Sequence, residues 1–404
     1  MTFFPHPSLA RQSRGGDLQR KLTCLWKEPR VHSAYRTGVS LHSHTNHSKE
    51  GLNFIMEFVA RSSLLRMAMA TQNRKAIRES AIPLDFAKAY WTPPLPPLAA
   101  FELEKKQVEN NLGLSPMVSL TDHDTIEAPM LLRVVPEARR IPVSVEWTVP
   151  FKDAVFHLGV HNLPSGSAES IMQRLRDYTL QPLAEKLPDL LRMLHSNADI
   201  LIVLNHPLWD LCRIGRERHE RTLRTLLCEH GQYIHALELS GIRRWEENQA
   251  VLHLSEACNQ IVISGGDRHG CVPNAALNLT NAESFTEFVH EVRKERRSHV
   301  LFMPQYTEPL AIQVLQTVLD ATRDYPDYSS GSRHWEERAF HPDRSGVLRP
   351  LSALWVRPPV YVRHFLSVVR LLELAAVRRA LQLALARPQP QLALPLGSRQ
   401  ELAP

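Results

Sequence analysis

The residues best equipped for chemistry recur in short clusters far apart along the chain. "LHSHTNHSKE" (41–50) puts His42, His44, His47, Lys49 and Glu50 in one stretch. "SLTDHD" (119–124) carries Asp122 and His123, and "VSVEW" (143–147) carries Glu146. "VFHLGVHN" (155–162) carries His157 and His161, and "LNHP" (204–207) carries His206. "SGGDRHG" (264–270) adds Asp267, Arg268 and His269. Imidazole and carboxylate together suit zinc, manganese or iron. A glutamate among several histidines can bridge two ions, and ions about 3.5–4 Å apart are a standard device for cleaving phosphoesters. Competing catalytic signatures are absent: there is no GxSxG, Walker loop, GxGxxG or HExxH.

The elements that must position these residues are apolar, β-branched-rich runs of strand length. They are "TGVSLHSHT", "SPMVSLTDHD", "RIPVSVEWTV", "AVFHLGVHNL", "ADILIVLNHP", "HALELSG" and "QIVISGGDRHG". Most of the gaps between them have helical apolar spacing, as in "ESIMQRLRDYTLQPLAEKLPDLLRMLHS" and "WEENQAVLHLSEACN". Asp124 followed by Glu127 resembles a capping box at one helix start. Alternation of strand and helix predicts an α/β fold with a mainly parallel sheet or barrel of seven strands. In a parallel barrel the C-terminal strand ends meet on one face, so the distant clusters would converge there. Residues i and i+2 of a strand point the same way, which aims both imidazoles of "HSH" into one space. The same holds for Asp267 and His269 if their strand persists that far.

Three stretches depart from this rhythm. Residues 1–37 are polar and read as a loose lead-in. Residues 51–116, with "YWTPPLPP" inside them, read as two or three helices around a proline-rich link. Inserted after the first strand, they make a candidate substrate lid. Residues 305–404 read as a linker ("PDYSSGSRHW"), one long amphipathic helix and a disordered tail.

Composition bounds the function classes. The chain has 404 residues, 43% hydrophobic and 22% charged, as in soluble globular proteins. The only candidate membrane run, 365–386, contains Arg370, Glu373, Arg378 and Arg379, so spanning would be expensive. The start of the sequence has no apolar h-region of signal-peptide length. Five scattered cysteines without a CxxC pair fit a reduced, cytoplasmic protein. The net charge of +6 comes from the end of the chain, where residues 331–404 hold 11 arginines against 5 acids. Such a tail either keeps a helix in solution or contacts nucleic acid, a partner or an anionic surface.

The motifs "LHSHTNHS", "SLTDHDT", "VSVEW", "VFHLGVHN", "LNHP" and "SGGDRHG", in this order, resemble the PHP superfamily (polymerase and histidinol phosphatase) over about residues 38–304. The resemblance implies a distorted (β/α)7 barrel with two or three divalent ions in its mouth. It implies that His42, His44, Glu146 and Asp267 hold one ion. Glu146 would bridge to a second held by His157 and His206. His123 and His269 would hold a third, with Glu50 in a plausible position beside them. The family often has an Asp where Lys49 stands, and a small residue where Arg268 stands. Lys49 could place a cation near a substrate phosphate. Arg268 suits bidentate phosphate binding or a salt bridge to a barrel carboxylate. Arg243 and Arg244, in "SGIRRWEEN", are further phosphate-clamp candidates. Asp122 is expected to orient His123. His47 is expected to face away, and His161 to be structural.

The expected activity is a metal-dependent phosphoesterase acting on a small phosphomonoester or nucleotide phosphoester. A hydroxide bridging two ions would attack phosphorus, with His206 or Asp267 shuttling the leaving-group proton. Two other readings stay open: a C–N or C–O hydrolase using the same cluster, and a non-catalytic PHP-like module stabilised by its metals.

Overall fold

A computed structural model describes residues 18–52, 67, 85–355, 358 and 360–385. The fold is mixed α/β. Two five-stranded sheets carry the site, and a four-stranded sheet lies beside it. The first sheet orders its strands β1 (Gln19–Cys24), β12 (Arg297–Phe302), β11 (Ala276–Thr280), β2 (Thr37–Ser40) and β5 (Ser115–Val118). The second runs β10 (Ile261–Gly265), β9 (Ala236–Ser240), β8 (Leu201–Asn205), β7 (Ala154–Leu163) and β6 (Val143–Phe151). The small sheet joins β14 (Leu348–Pro350), β13 (Ala339–Pro342), β4 (Tyr90–Trp91) and β3 (Glu50–Gly51).

Both edges that matter for the site are joined across the two large sheets. His123 and Glu146 form a parallel bridge between the segments that follow β5 and lie within β6. There Glu146 N donates to Asp122 O at 3.2 Å, and Asp124 N donates to Glu146 O at 3.0 Å. Ser43 and Arg268 form a second parallel bridge, beyond the ends of β2 and β10. His44 N donates to Arg268 O at 2.9 Å, and Gly266 N to Leu41 O at 2.9 Å. Val39, Leu201, Val203, Ile261 and Ile263 of these strands form one apolar cluster with Phe288 and Val292 of helix Phe285–Arg293. The larger core lies on β6–β9 and the helices packed against them.

Several expectations are corrected. The strands are not mainly parallel. β6 and β7 pair antiparallel, because only Lys152 and Asp153 separate them and two residues permit only a hairpin. β7 also runs antiparallel to β8. Each of the seven expected runs contains a strand (β2 and β5 to β10), and the described residues hold seven more. The expected loose lead-in contains β1, which pairs parallel with β12. The long helical stretch at 168–196 breaks into Ala168–Leu180 and Lys186–Ser196, where Pro182 cannot continue a helix. No capping box forms at Glu127, since Asp124 spends its Oδ1 on Thr148 N at 2.9 Å. Tyr90–Trp91 of the expected link forms β4, and Pro97–Leu112 is a helix that ends on Gly113 at φ 65°. The expected helices at 53–66 and 68–84 lie outside the described residues, as does the expected disordered tail after residue 385. Beyond the expected linker (326–335) the chain forms β13, and the single amphipathic helix is two, Val360–Glu373 and Ala375–Leu385. No helix among the described residues is long and apolar enough to cross a membrane.

The added strand β1 is held by a buried histidine. His299 Nε2 lies 2.6 Å from Thr23 Oγ1, and Nδ1 lies 2.7 Å from the Tyr35 hydroxyl. Burial, helped by Lys21, pushes the His299 imidazole down to about 4. The unfolded chain therefore binds a proton at this residue before the folded chain does. Stability is complete above the ordinary histidine range and falls as pH drops from about 6.5 toward 4, by up to about 3 kcal/mol from this group. Urea unfolding at stepped pH should show that loss, and His299→Gln should flatten the slope. An unchanged slope in the variant would show that His299 does not carry it.

Candidate metal centre

Three of the cluster residues sit one or two positions beyond a strand, in backbone that non-glycine residues rarely adopt. His42 follows β2 at φ 63°, His206 follows β8 at φ 27° and Asp267 follows β10 at φ 49°. Strain of this kind costs on the order of 1–3 kcal/mol per residue and collects at functional sites. It also corrects the strand-alternation argument. "HSH" and "DRH" converge because the backbone turns at His42 and Asp267, not because a strand continues through them. His157 arrives differently again. It lies in the first half of β7, whose reversed direction brings its N-terminal half to the mouth formed by its neighbours' C-terminal ends.

Glu146 is the meeting point. His42 Nε2 approaches its Oε1 at 3.1 Å, and His157 Nδ1 and His206 Nε2 each do so at 3.2 Å. His44 Nε2 and His123 Nδ1 approach Oε2 at 3.3 and 3.2 Å. Asp267 Oδ1 lies 3.6 Å from His42 Nε2, 3.5 Å from His44 Nε2 and 3.5 Å from His269 Nδ1. Glu50 Oε2 lies 3.3 Å from His123 Nε2 and 3.1 Å from His269 Nε2. Three groups of donors could each hold an ion: His44, Glu50, His123 and His269; His42, His44 and Glu146; and His123, Glu146 and His157. His206 and Asp267 stand outside these groups but touch the same atoms.

The donor set fits divalent metals on two counts. Two ligand atoms about 2.1 Å from one ion, at tetrahedral to octahedral angles, lie about 3.0–3.4 Å apart, close to the approaches seen here. In addition, His42 Nε2, His44 Nε2, His123 Nδ1, His157 Nδ1, Glu146 Oε2 and Asp267 Oδ2 are buried without a hydrogen-bond partner. Buried polar atoms are rarely left so unless something else engages them. The charges interlock accordingly. Burial would raise the Glu146 carboxyl, but His42, His157 and His123 hold it well below its usual range. Burial likewise opposes ionisation of Glu50 and Asp267, and the imidazoles around them outweigh it. His42 is raised well above its usual value and His123 to about 10, because nearby carboxylates overcome burial. His157 goes the other way, to about 4, because burial dominates.

The arginines and Lys49 are placed less uniformly. Arg268 is buried. Its Nε donates to Glu104 Oε1 at 2.8 Å, Nη1 to Gly270 O at 2.8 Å and Nη2 to His44 O at 3.1 Å. So placed, it is a structural tie rather than a phosphate clamp or a catalytic residue. Lys49 is exposed, with Nζ 5.5 Å above the Tyr90 ring, while its neighbour Glu50 turns inward. Arg244 is exposed. Arg243 is the cation that faces the cluster. Its guanidinium lies 3.8 Å over the Trp209 ring, and Nη2 lies 3.8 Å from Asp267 Oδ2. Its Nε and Nη2 are buried without a hydrogen-bond partner.

Asp122 does not orient His123 as expected. It accepts from Thr45 N at 2.5 Å and from Thr45 Oγ1 at 2.6 Å, clamping the loop after His44. His47 pairs with Glu127 at 3.2 Å. His161 is buried with Nδ1 2.8 Å from Ser119 Oγ. Three residues missed from the sequence complete the site. Asn205 Nδ2 donates to Glu146 Oε1 at 2.9 Å. Glu238 Oε2 lies 2.5 Å from His42 Nδ1. Trp209 stands 5.0 Å from His206, ring to ring. Only Glu238 left a signal, as an acid inside the apolar run "HALELSG".

No protein family and no curated protein sequence matches the chain. Among solved structures, a sulfate-bound, metal-free amidohydrolase from Chromobacterium violaceum is 14% identical. The match covers 44% of this chain and 84% of that one, with a TM-score of 0.31. A protein assigned as a metal-dependent phosphoesterase, from Bifidobacterium adolescentis, is 15% identical. That match covers 51% of this chain and 92% of the other, with a TM-score of 0.31. Likeness at this level leaves the chemistry to be argued from the side chains.

If Arg268 is a tie, Arg268→Ala strands Glu104 as an unpaired buried charge. Urea unfolding should then show a loss of about 3–5 kcal/mol. Unchanged stability with a raised KM would instead return Arg268 to the substrate.

Proposed function

We propose that this chain is a metal-dependent hydrolase that cleaves a small phosphoester, built on a distorted seven-stranded barrel. In this reading the two joints between the sheets close a ring in the order β2, β5, β6, β7, β8, β9, β10. The observation that carries the proposal is the convergence of nine side chains, from His42 to His269, at ligand-edge distances. Six of them (His42, His44, His123, Glu146, His157 and Asp267) keep a buried polar atom without a hydrogen-bond partner. His42, His44, Glu146 and Asp267 would hold one ion, and Glu146, His157 and His206 a second. Glu50, His123 and His269 would hold a third. Zinc, manganese or iron bound there would offset phosphate charge and lower the pKa of water.

The chain's own groups supply the rest. Arg243 favours phosphate over an amide, because its guanidinium, only loosely paired with Asp267 and Glu247 and with Nε and Nη2 free of hydrogen bonds, offers a fixed fork for two phosphate oxygens. Trp209 holds that fork in place by stacking. Asp267 is kept ionised against burial by His269 and His42, so it can accept a proton, and its Oδ2 has no hydrogen-bond partner. His206, one ring away from Trp209, is the neighbouring group able to exchange a proton with a leaving oxygen.

Elemental analysis of purified protein should find two or three divalent ions per chain. An aryl phosphate assay with added manganese should show turnover that Asp267→Ala abolishes. Arg243→Ala should raise KM at least tenfold for a phosphate ester while metal content stays the same. Hydrolysis of an amide instead of the ester would move the reading to C–N chemistry. Bound metal without turnover of any ester would favour the non-catalytic module.

A further inference from the structure

Glu238 is a buried carboxylate that lies outside the three donor groups and, among the described residues, pairs with no lysine or arginine. It comes from the middle of β9, between Leu237 and Leu239, and is 1% exposed. A charge buried in an apolar strand is costly unless something specific uses it. Its Oε2 lies 2.5 Å from Nδ1 of His42, and its Oε1 is buried without a hydrogen-bond partner. It therefore meets His42 on the side opposite Nε2, the atom that approaches Glu146 and Asp267. Space has been kept for it. A Cβ at Gly265 would lie 2.2 Å from Glu238 Oε2, so that position on β10 admits no side chain while the carboxylate stays.

We propose that Glu238 is the positioning residue for His42. It holds the proton on Nδ1, leaves Nε2 as the donor toward Glu146 and Asp267, and adds negative charge behind the ring. An imidazole that donates its second N–H to a carboxylate is a fixed tautomer in a fixed orientation, and a more basic ligand. The inference rests on the reading of His42 as a metal ligand, but it concerns which residue makes His42 a good one. Glu238 touches no reacting atom in this account. Gly265 belongs to the same device, since it gives the carboxylate its place.

The test measures zinc affinity of the full-length chain by competition with a chromophoric chelator. It compares wild type, Glu238→Gln, Glu238→Leu and Gly265→Ala, with thermal unfolding of each metal-free protein alongside. Glu238→Gln keeps an acceptor for Nδ1–H and removes the charge, whereas Glu238→Leu removes both. The expected order of affinity is wild type, then Gln, then Leu, with a loss of about 10–100-fold at the tightest site for the leucine variant. Gly265→Ala should fall in the same direction, because it displaces the carboxylate. Variants that lose thermal stability but bind zinc as tightly as wild type would overturn the proposal and make Glu238 a structural tie. If the leucine variant does not fold, the glutamine variant decides between these outcomes. A wild-type chain that binds none of zinc, manganese and iron would fail the proposed function itself, and this inference with it.

Discussion

A carboxylate with no access to water has to be answered by positive or polar groups, and Glu146 sets that requirement for the whole mouth of the fold. It is fully buried, and imidazoles of His42, His44, His123, His157 and His206 crowd its two oxygens. No single strand could supply that shell. The five imidazoles come from the ends of β2, β5 and β8 and from within β7, so the strands must keep the registers that bring those points together. The backbone of Glu146 is itself the joint between the two sheets, through Asp122 O and Asp124 N. The residue that demands compensation thus also helps fix the scaffold that provides it.

The turns that carry candidate ligands store strain, and the neighbouring backbone contains it. His42, His206 and Asp267 all adopt positive φ just beyond a strand. At two of them the chain is pinned by cross-strand hydrogen bonds. His42 O accepts from Arg268 N at 3.4 Å, and the next exchange runs from His44 N to Arg268 O. The buried ion pair of Arg268 and Glu104 lies behind this joint, where Glu104 also accepts from Ser40 Oγ at 2.8 Å. An unusual turn is tolerable when its surroundings leave the backbone no alternative.

The third corner of the site is supported from far along the chain. Glu50 lies on β3, which pairs with Trp91 of β4, and β4 in turn pairs with Ala339 of β13. Before β13, Arg338 is buried. Its guanidinium donates to the carbonyls of Ser332, Arg333, Ala321 and Arg323. Residues 320–342, which include the stretch 326–335 that reads as a linker, therefore fold back to brace a strand that holds a candidate ligand. The His123–Glu50–His269 group depends on this brace as much as on its own residues.

The donor residues were legible in the sequence because imidazole and carboxylate at strand ends are expensive anywhere except at a site that uses them. Seven of the strands were legible too, since β-branched runs have few alternatives, whereas β1, β11, β12 and the small sheet were not foreseen. Direction was not fully read. The two-residue gap between Phe151 and Ala154 already forced a hairpin, and its consequence is that His157 comes from the first half of its strand. What only the tertiary structure decided is how side chains without a motif are spent. Arg268, Lys49 and Arg243 were all candidate phosphate binders, with a salt bridge as the other reading of Arg268. Packing commits the first to Glu104, stacks the second outside on Tyr90 and leaves the third facing Asp267. Asn205 and Glu238 acquire roles only because β8 and β9 place them beside Glu146 and His42. Sequence by itself determines which groups are present and which must escape water. The partner each one finds is set by contacts between residues distant in the chain, and local pattern carries no record of them.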